Sequence, residues 1–122
     1  MFLFLEVLPY VKQYYTYIIT NYSKTVLYTG MTNNLENRLL FHYKNRGAAN
    51  SYASKYSCFY LVWYESFSNA YDAIQSEKYI KGKTRRWKEN LINEFNTEWR
   101  FMNEEIFGYW PPKQEFLNSI NG

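Results

Sequence analysis

Cys58 and His42 are the only cysteine and the only histidine in 122 residues. An internal disulfide is therefore excluded, and so is a zinc site built from several Cys and His ligands. Both absences predict a chain suited to a reducing, cytoplasmic interior. Long apolar runs are missing too. The most apolar stretch, Met1-Phe2-Leu3-Phe4-Leu5, is interrupted by Glu6 and Pro9, has no basic flank and no small-residue cleavage site. Neither a membrane span nor a secretion signal is predicted. No internal repeat or low-complexity segment is present, and the length predicts one core with no room for a second catalytic domain.

What the chain has instead is aromatic surface and a local charge. Aromatic residues make up 22% of it, with Tyr 14, Phe 9 and Trp 4, far too many for a disordered chain. The net charge of +3 conceals its distribution. Residues 78–90 carry Lys78, Lys81, Lys83, Arg85, Arg86 and Lys88 against Glu89 alone, while the flanking regions are nearly neutral or acidic. Such a run is either a solvated helix face or an attractor for polyanions.

Tyr14–Thr20 and Val26–Gly30 are β-branched and aromatic around a polar stretch, which predicts a hairpin. Asn33-Asn34 can cap a helix running to about Arg46, with Leu35, Leu39 and Tyr43 as its core stripe and Gly47 as its stop. A loop over 47–57, a buried strand over Cys58–Tyr64, a helix from about Asn69 to Lys81 and another from Thr84 to about Glu94 complete the order β-β-α-β-α-α. The expectation is a small α/β domain: a sheet of about three strands, started by a β-hairpin and flanked by helices. Its extent is set at 14–106, with an N-terminal extension over 1–13 and a surface tail over 107–122.

Some polar residues sit where packing alone would not put them. Helical periodicity places Glu77 within the apolar stripe of Ala70, Ala73, Ile74 and Ile80. A carboxylate there must be paired, protonated or metal-bound, and Lys81 or Arg38 could pair with it. Arg38 and His42 are four apart, on one edge of the first helix. Strand alternation sets Tyr15, Tyr17 and Ile19 on one face of the first strand, and Val26, Tyr28 and Gly30 on one face of the second. Tyrosines in a sheet are ordinarily packing. Two of them facing Arg, His and Glu, beside a glycine that a phosphate backbone could approach, would be a site.

In order along the chain stand Tyr15-Thr16-Tyr17, Tyr28-Thr29-Gly30, Arg38 with His42, Glu77 in Ala73-Ile74-Gln75-Ser76-Glu77, and then Arg86-Trp87-Lys88 and Asn96. This set resembles the GIY-YIG nuclease superfamily, in particular its small stand-alone bacterial branch, which is similar to the N-terminal domain of the excinuclease C subunit. Tyr15-Thr16 replaces the Gly-Ile of the first triplet, and Thr29 the central Ile of the second. The resemblance implies a DNA endonuclease, in repair, recombination or defence, that uses one Mg2+ or Mn2+. Tyr17 and Tyr28 would be the motif tyrosines, Arg38 the phosphate-binding arginine, His42 a proton-handling residue, Glu77 the metal ligand, and Asn96 the nearest match to a late asparagine. Tyr17, Tyr28 or His42 would take the proton of the attacking water. Gly30 and the 78–88 cations would contact DNA, with no small-molecule cofactor and no membrane, and targeting could depend on a separate protein. The alternative is a nucleic-acid-binding module of the same fold without useful turnover.

Overall fold

A computed structural model of the chain describes residues 12–118. The apolar N-terminal stretch, and the expected extension up to residue 11, lie outside them. Strand β1 (Tyr14–Thr20) is central, with β2 (Leu27–Thr32) and β3 (Tyr60–Phe67) antiparallel to it on either side. Helices α1 (Leu35–Lys44) and α2 (Tyr52–Lys55) lie between β2 and β3 in the chain. After β3 come α3 (Ala70–Lys81), α4 (Arg85–Phe95), α5 (Asn103–Phe107) and α6 (Gln114–Asn118). Among the described residues no helix is long and apolar enough to cross a membrane.

The expected α/β architecture is present, with a further helical turn where a loop was expected. Ser51 caps that turn by accepting from the Ser54 amide, and Ala53 anchors it in the core. Strand β3 starts later than the apolar run suggests, because Cys58 and Phe59 lead into it. Asn34, Asn69 and Thr84 cap α1, α3 and α4 through side-chain acceptors, so those starts follow from capping chemistry.

Alternation along β1 divides the interior in two. Tyr17 and Ile19 pack with Leu35 and Leu39 of α1, Ala53, Leu61 and Met102. Ile18 faces the other way, onto Val62, Trp63, Ile80 of α3 and Ile92 of α4. A bulge opposite Ile18 and Ile19 lets Val62 and Trp63 both join that second core, since Trp63 pairs with Ile18 and Leu61 with Ile19. The polar Thr16 is fully buried on β1, and its hydroxyl donates to the Ala73 carbonyl at 2.8 Å. That bond fastens the middle of α3 to the sheet.

The described part of the tail, expected on the surface, packs at Trp110 and Leu117. Trp110 meets Tyr43 and Phe59 edge-on and in tilted contact, and Leu117 is buried. Both α5 and α6 contact α1.

Candidate active site

The register of β1 against β2 sets the geometry. Tyr17 lies opposite Gly30 and Ile19 opposite Tyr28, so both motif tyrosines project from one face. The Tyr17 ring folds across Gly30. A Cβ on residue 30 would stand 2.4 Å from the Tyr17 hydroxyl and 2.5 Å from the ring carbon that carries it. The glycine is therefore explained by the tyrosine ring over it, a closer neighbour than the DNA backbone expected there.

Helix α1 brings the next groups. The Tyr17 hydroxyl lies 2.8 Å from His42 Nε2, and both residues are buried. Tyr28 meets the imidazole edge-on at 5.6 Å, and Phe41 flanks it at 5.7 Å. Phe41 also lies under the Arg38 guanidinium at 5.2 Å. It steadies two site residues at once, a role the sequence offered only through its position between them. His42 Nδ1 is buried without a hydrogen-bond partner.

Electrostatics follow from this burial. Desolvation and, after it, the Arg38 charge lower the His42 pKa to about 4, so the ring is neutral near pH 7. Desolvation also pushes the Tyr17 phenol well above its ordinary value; the Tyr28 and Glu77 charges add to this, while Arg38 opposes it. Tyr17 is thus protonated, and its O–H can donate to Nε2 with the ring proton on Nδ1. The free Tyr17 phenolate that the sequence left open as a base is disfavoured. Burial likewise raises the Cys58 thiol to about 11, leaving an inert core cysteine.

Glu77 reaches the same edge from α3. It lies on the flank of the buried stripe, with its side chain 21% exposed, and pairs with Lys81 Nζ at 3.3 Å. Lys81 also sits over the Tyr28 ring, 5.8 Å from its centroid. The pairing that sequence spacing allowed is real. Among the described residues no group of three His, Cys, Asp or Glu forms a protein cage, and Glu77 is the carboxylate beside the tyrosines that could offer oxygens to a hard cation keeping a mainly water shell. A single accessible carboxylate is enough for that kind of site.

The basic run divides by task. Lys78, Arg86 and Lys81 are exposed. Lys83 lies over Tyr79, 4.2 Å from the ring centroid, on the side of α3 away from Glu77. Arg85 is a fastener: it donates to Glu89 and to the carbonyls of Thr25 and Lys24 in the hairpin turn. Asn96 stands apart from the other candidates. Its amide donates to the Val62 and Arg100 carbonyls and accepts from the Arg100 amide, so both of its donors serve the backbone. It ends α4 and closes the β3 side of the sheet.

Five candidates thus meet around one phenol: Tyr17 touches His42 and feels the charges of Tyr28, Arg38 and Glu77. The profile of the GIY-YIG catalytic domain matches residues 13–90, which span all five. The chain belongs to the GIY-YIG nuclease family. Similar relatives include bacterial UPF0213 proteins. One from Clostridium perfringens is 40% identical over 79 residues, 65% of this chain and 82% of that one. Another, from Oceanobacillus iheyensis, is 38% identical over 81 residues, 66% and 91% of the two chains. A third, from Limosilactobacillus reuteri, is 32% identical over 81 residues, 66% and 83%. The solution structure of a Bacillus halodurans UPF0213 protein is 25% identical, with a TM-score of 0.48, covering 75% of this chain and 95% of that one. Where this GIY-YIG domain departs from its first triplet, Thr16 provides the buried bond that holds the Glu77 helix.

Proposed function

We propose that this GIY-YIG domain is a divalent-metal-dependent endonuclease that hydrolyses DNA phosphodiester bonds. The observation that carries the reading is the buried Tyr17–His42 hydrogen bond, set within the fields of Arg38 and Glu77. Glu77 would hold Mg2+ or Mn2+, which supplies charge stabilisation for the leaving 3' oxygen. Arg38 neutralises the non-bridging phosphoryl oxygens, for which its planar fork suits it better than lysine would. The attacking water gives its proton to Tyr17 as the Tyr17 proton passes to His42 Nε2. Products would carry 5'-phosphate and 3'-hydroxyl ends.

The neutral imidazole is a weak base at rest, and Arg38 is one reason. A phosphate bound on Arg38 offsets that charge, so substrate binding itself raises the proton affinity of His42. The base is strengthened when there is water to activate. Lys81 has a matching role, because the cation that pairs with Glu77 must yield when a divalent ion binds. This pairing also favours a second reading, a DNA-binding module whose carboxylate stays with lysine.

Incubation with plasmid, nicked and branched DNA, with and without Mg2+ or Mn2+, separates the two. The nuclease reading expects metal-dependent cleavage with the stated ends. Binding without cutting under every condition would leave the module.

A further inference from the structure

The hairpin end of β2 carries a feature that none of these roles absorbs. A notch of about 160 Å³ opens beside Thr25, Val26 and Leu27 and is lined as well by Tyr52, Arg85 and Lys88. Arg85 is committed to the hairpin carbonyls, so it fixes the start of α4 against β2 and sets Lys88 in place. Lys88 has no ion-pair partner among the described salt bridges. Tyr52 is 57% exposed and meets Tyr56, 41% exposed, edge-on at 5.0 Å. Core packing does not account for this pair, since Ala53 between them anchors the turn.

The notch lies at the start of the strand that carries Tyr28 and Gly30. Both lie along β2, the strand at one border of the sheet. From Val26 to Tyr28 and Gly30 is two to four residues of strand, about 7–13 Å, the reach of one or two nucleotides in an extended strand. Lys81 lies over the Tyr28 ring, further along the same strand. The notch sets a cation and an exposed ring beside the start of the strand that carries Tyr28 and Gly30. An apolar peptide would find no greasy floor there. A nucleic acid strand finds a partner for its phosphate and a face for its base.

We propose that β2 is the track of the substrate strand, with Lys88 holding a backbone phosphate one to two nucleotides from the scissile one and Tyr52 stacking the adjoining base. This subsite rests on the nuclease reading for its substrate class. It gives a domain with little sequence-reading surface a grip on local strand geometry, and it selects substrates in which that base is unpaired. Arg85 positions the track and Lys88 contacts the strand.

The test is fluorescence-anisotropy titration of a short labelled DNA single strand, and of the same strand in duplex, in a Glu77→Gln background that prevents cutting. Lys88→Ala should weaken single-strand binding roughly threefold to tenfold and reduce the log–log salt slope by about one. Tyr52→Ala should weaken it at least about fivefold with the slope unchanged, and Tyr52→Phe should restore it. Lys113→Ala, in the tail, is the control and should do neither. With Glu77 intact, Lys88→Ala should raise KM and leave kcat near the parent value. Lys88→Ala and Tyr52→Ala indistinguishable from Lys113→Ala would overturn the track, even in a protein that cuts DNA. Equal loss on single strand and duplex would remove the unpaired-base preference. A protein that binds with these effects but never cuts would keep the track and defeat the nuclease reading, and one that binds neither DNA would defeat both.

Discussion

The two borders of this sheet are finished in opposite ways. At the β3 border the buried asparagines Asn96 and Asn103 bond the backbone. Asn103 is 1% exposed, accepts from the Leu61 amide and donates to the Phe59 carbonyl. The Met102 amide bonds the Leu61 carbonyl, and Asn96 takes the Val62 carbonyl. At the β2 border a buried imidazole has an unpartnered nitrogen, a phenol is held by that same ring, and a carboxylate is shared with a movable lysine. Satisfied polar groups close a sheet edge. Incompletely satisfied ones keep capacity for a substrate, which is why the chemistry is assigned to β2 and the architecture to β3.

The largest expected effect comes from Glu77. Glu77→Gln keeps the shape and removes the charge, and Mg2+-dependent cleavage should fall at least about a thousandfold, roughly 4 kcal/mol of transition-state stabilisation. Thermal unfolding should barely move, because the partly exposed pair with Lys81 contributes little. Cleavage retained after repurification would move the metal site elsewhere and break the contrast between the borders.

The His42 ring gives the next. Its folded-state pKa of about 4 lies below the unfolded value of about 6.5, so between those limits the unfolded chain binds more protons. Stability contributed by the neutral buried ring is therefore complete above about pH 6.5 and lost as pH falls toward 4. The loss is on the order of 3 kcal/mol. Denaturant titrations at pH 7 and pH 4.5 should show it in the parent and largely lose it in His42→Phe. A slope that survives the substitution would mean that other groups dominate acid unfolding. Cleavage by free enzyme should keep its kcat/KM below pH 6, where an ordinary histidine base would fail.

Gly30→Ala sharpens the same border. The new methyl would overlap three atoms of a ring that is 2% exposed and tied to His42, so the ring must leave its place. A loss of about a hundredfold in turnover is expected, with about 1–3 kcal/mol of stability. Added Tyr17→Phe should then cost little more activity, since the hydroxyl is already displaced. Full additivity in that cycle would separate Gly30 from Tyr17 and return the glycine to substrate contact.

Much of this was legible in the sequence, and the exceptions share a cause. The hairpin, α1 and the alternation that unites Tyr17, Tyr28 and Gly30 follow from period-2 and period-3.6 patterns, which are local. Asn34, in the Asn33-Asn34 pair, announced its helix by capping. The Tyr17–His42 bond joins residues 25 apart, and only a family pattern brought the two together beforehand. Asn96 was named by its late place in the pattern, which could not show that its amide donors bond the Val62 and Arg100 carbonyls. The value of Gly30 depends on the ring across the strand pair, and the bulge in β3 depends on its pairing with β1; neither is written in a local pattern. The tail looked loose because Gly108 and two prolines mask the anchoring of Trp110 and Leu117 on the core and α1.

The smallest effect expected lies at the opposite border. Asn103→Ala would leave the Leu61 amide and Phe59 carbonyl without their partner in a buried setting, at a cost of about 2 kcal/mol. The midpoint of denaturant unfolding should drop with its slope unchanged. Turnover per folded molecule, measured well below the new midpoint, should stay within about twofold of the parent, because no candidate catalytic group touches Asn103. The measurement is informative in both directions. If turnover falls along with stability, the β3 border reaches Tyr17 through the central strand, and the division of labour between the two edges fails. If only stability falls, the same sheet has one edge that can be damaged without consequence for chemistry and one, at Gly30, where a single methyl group cannot be tolerated.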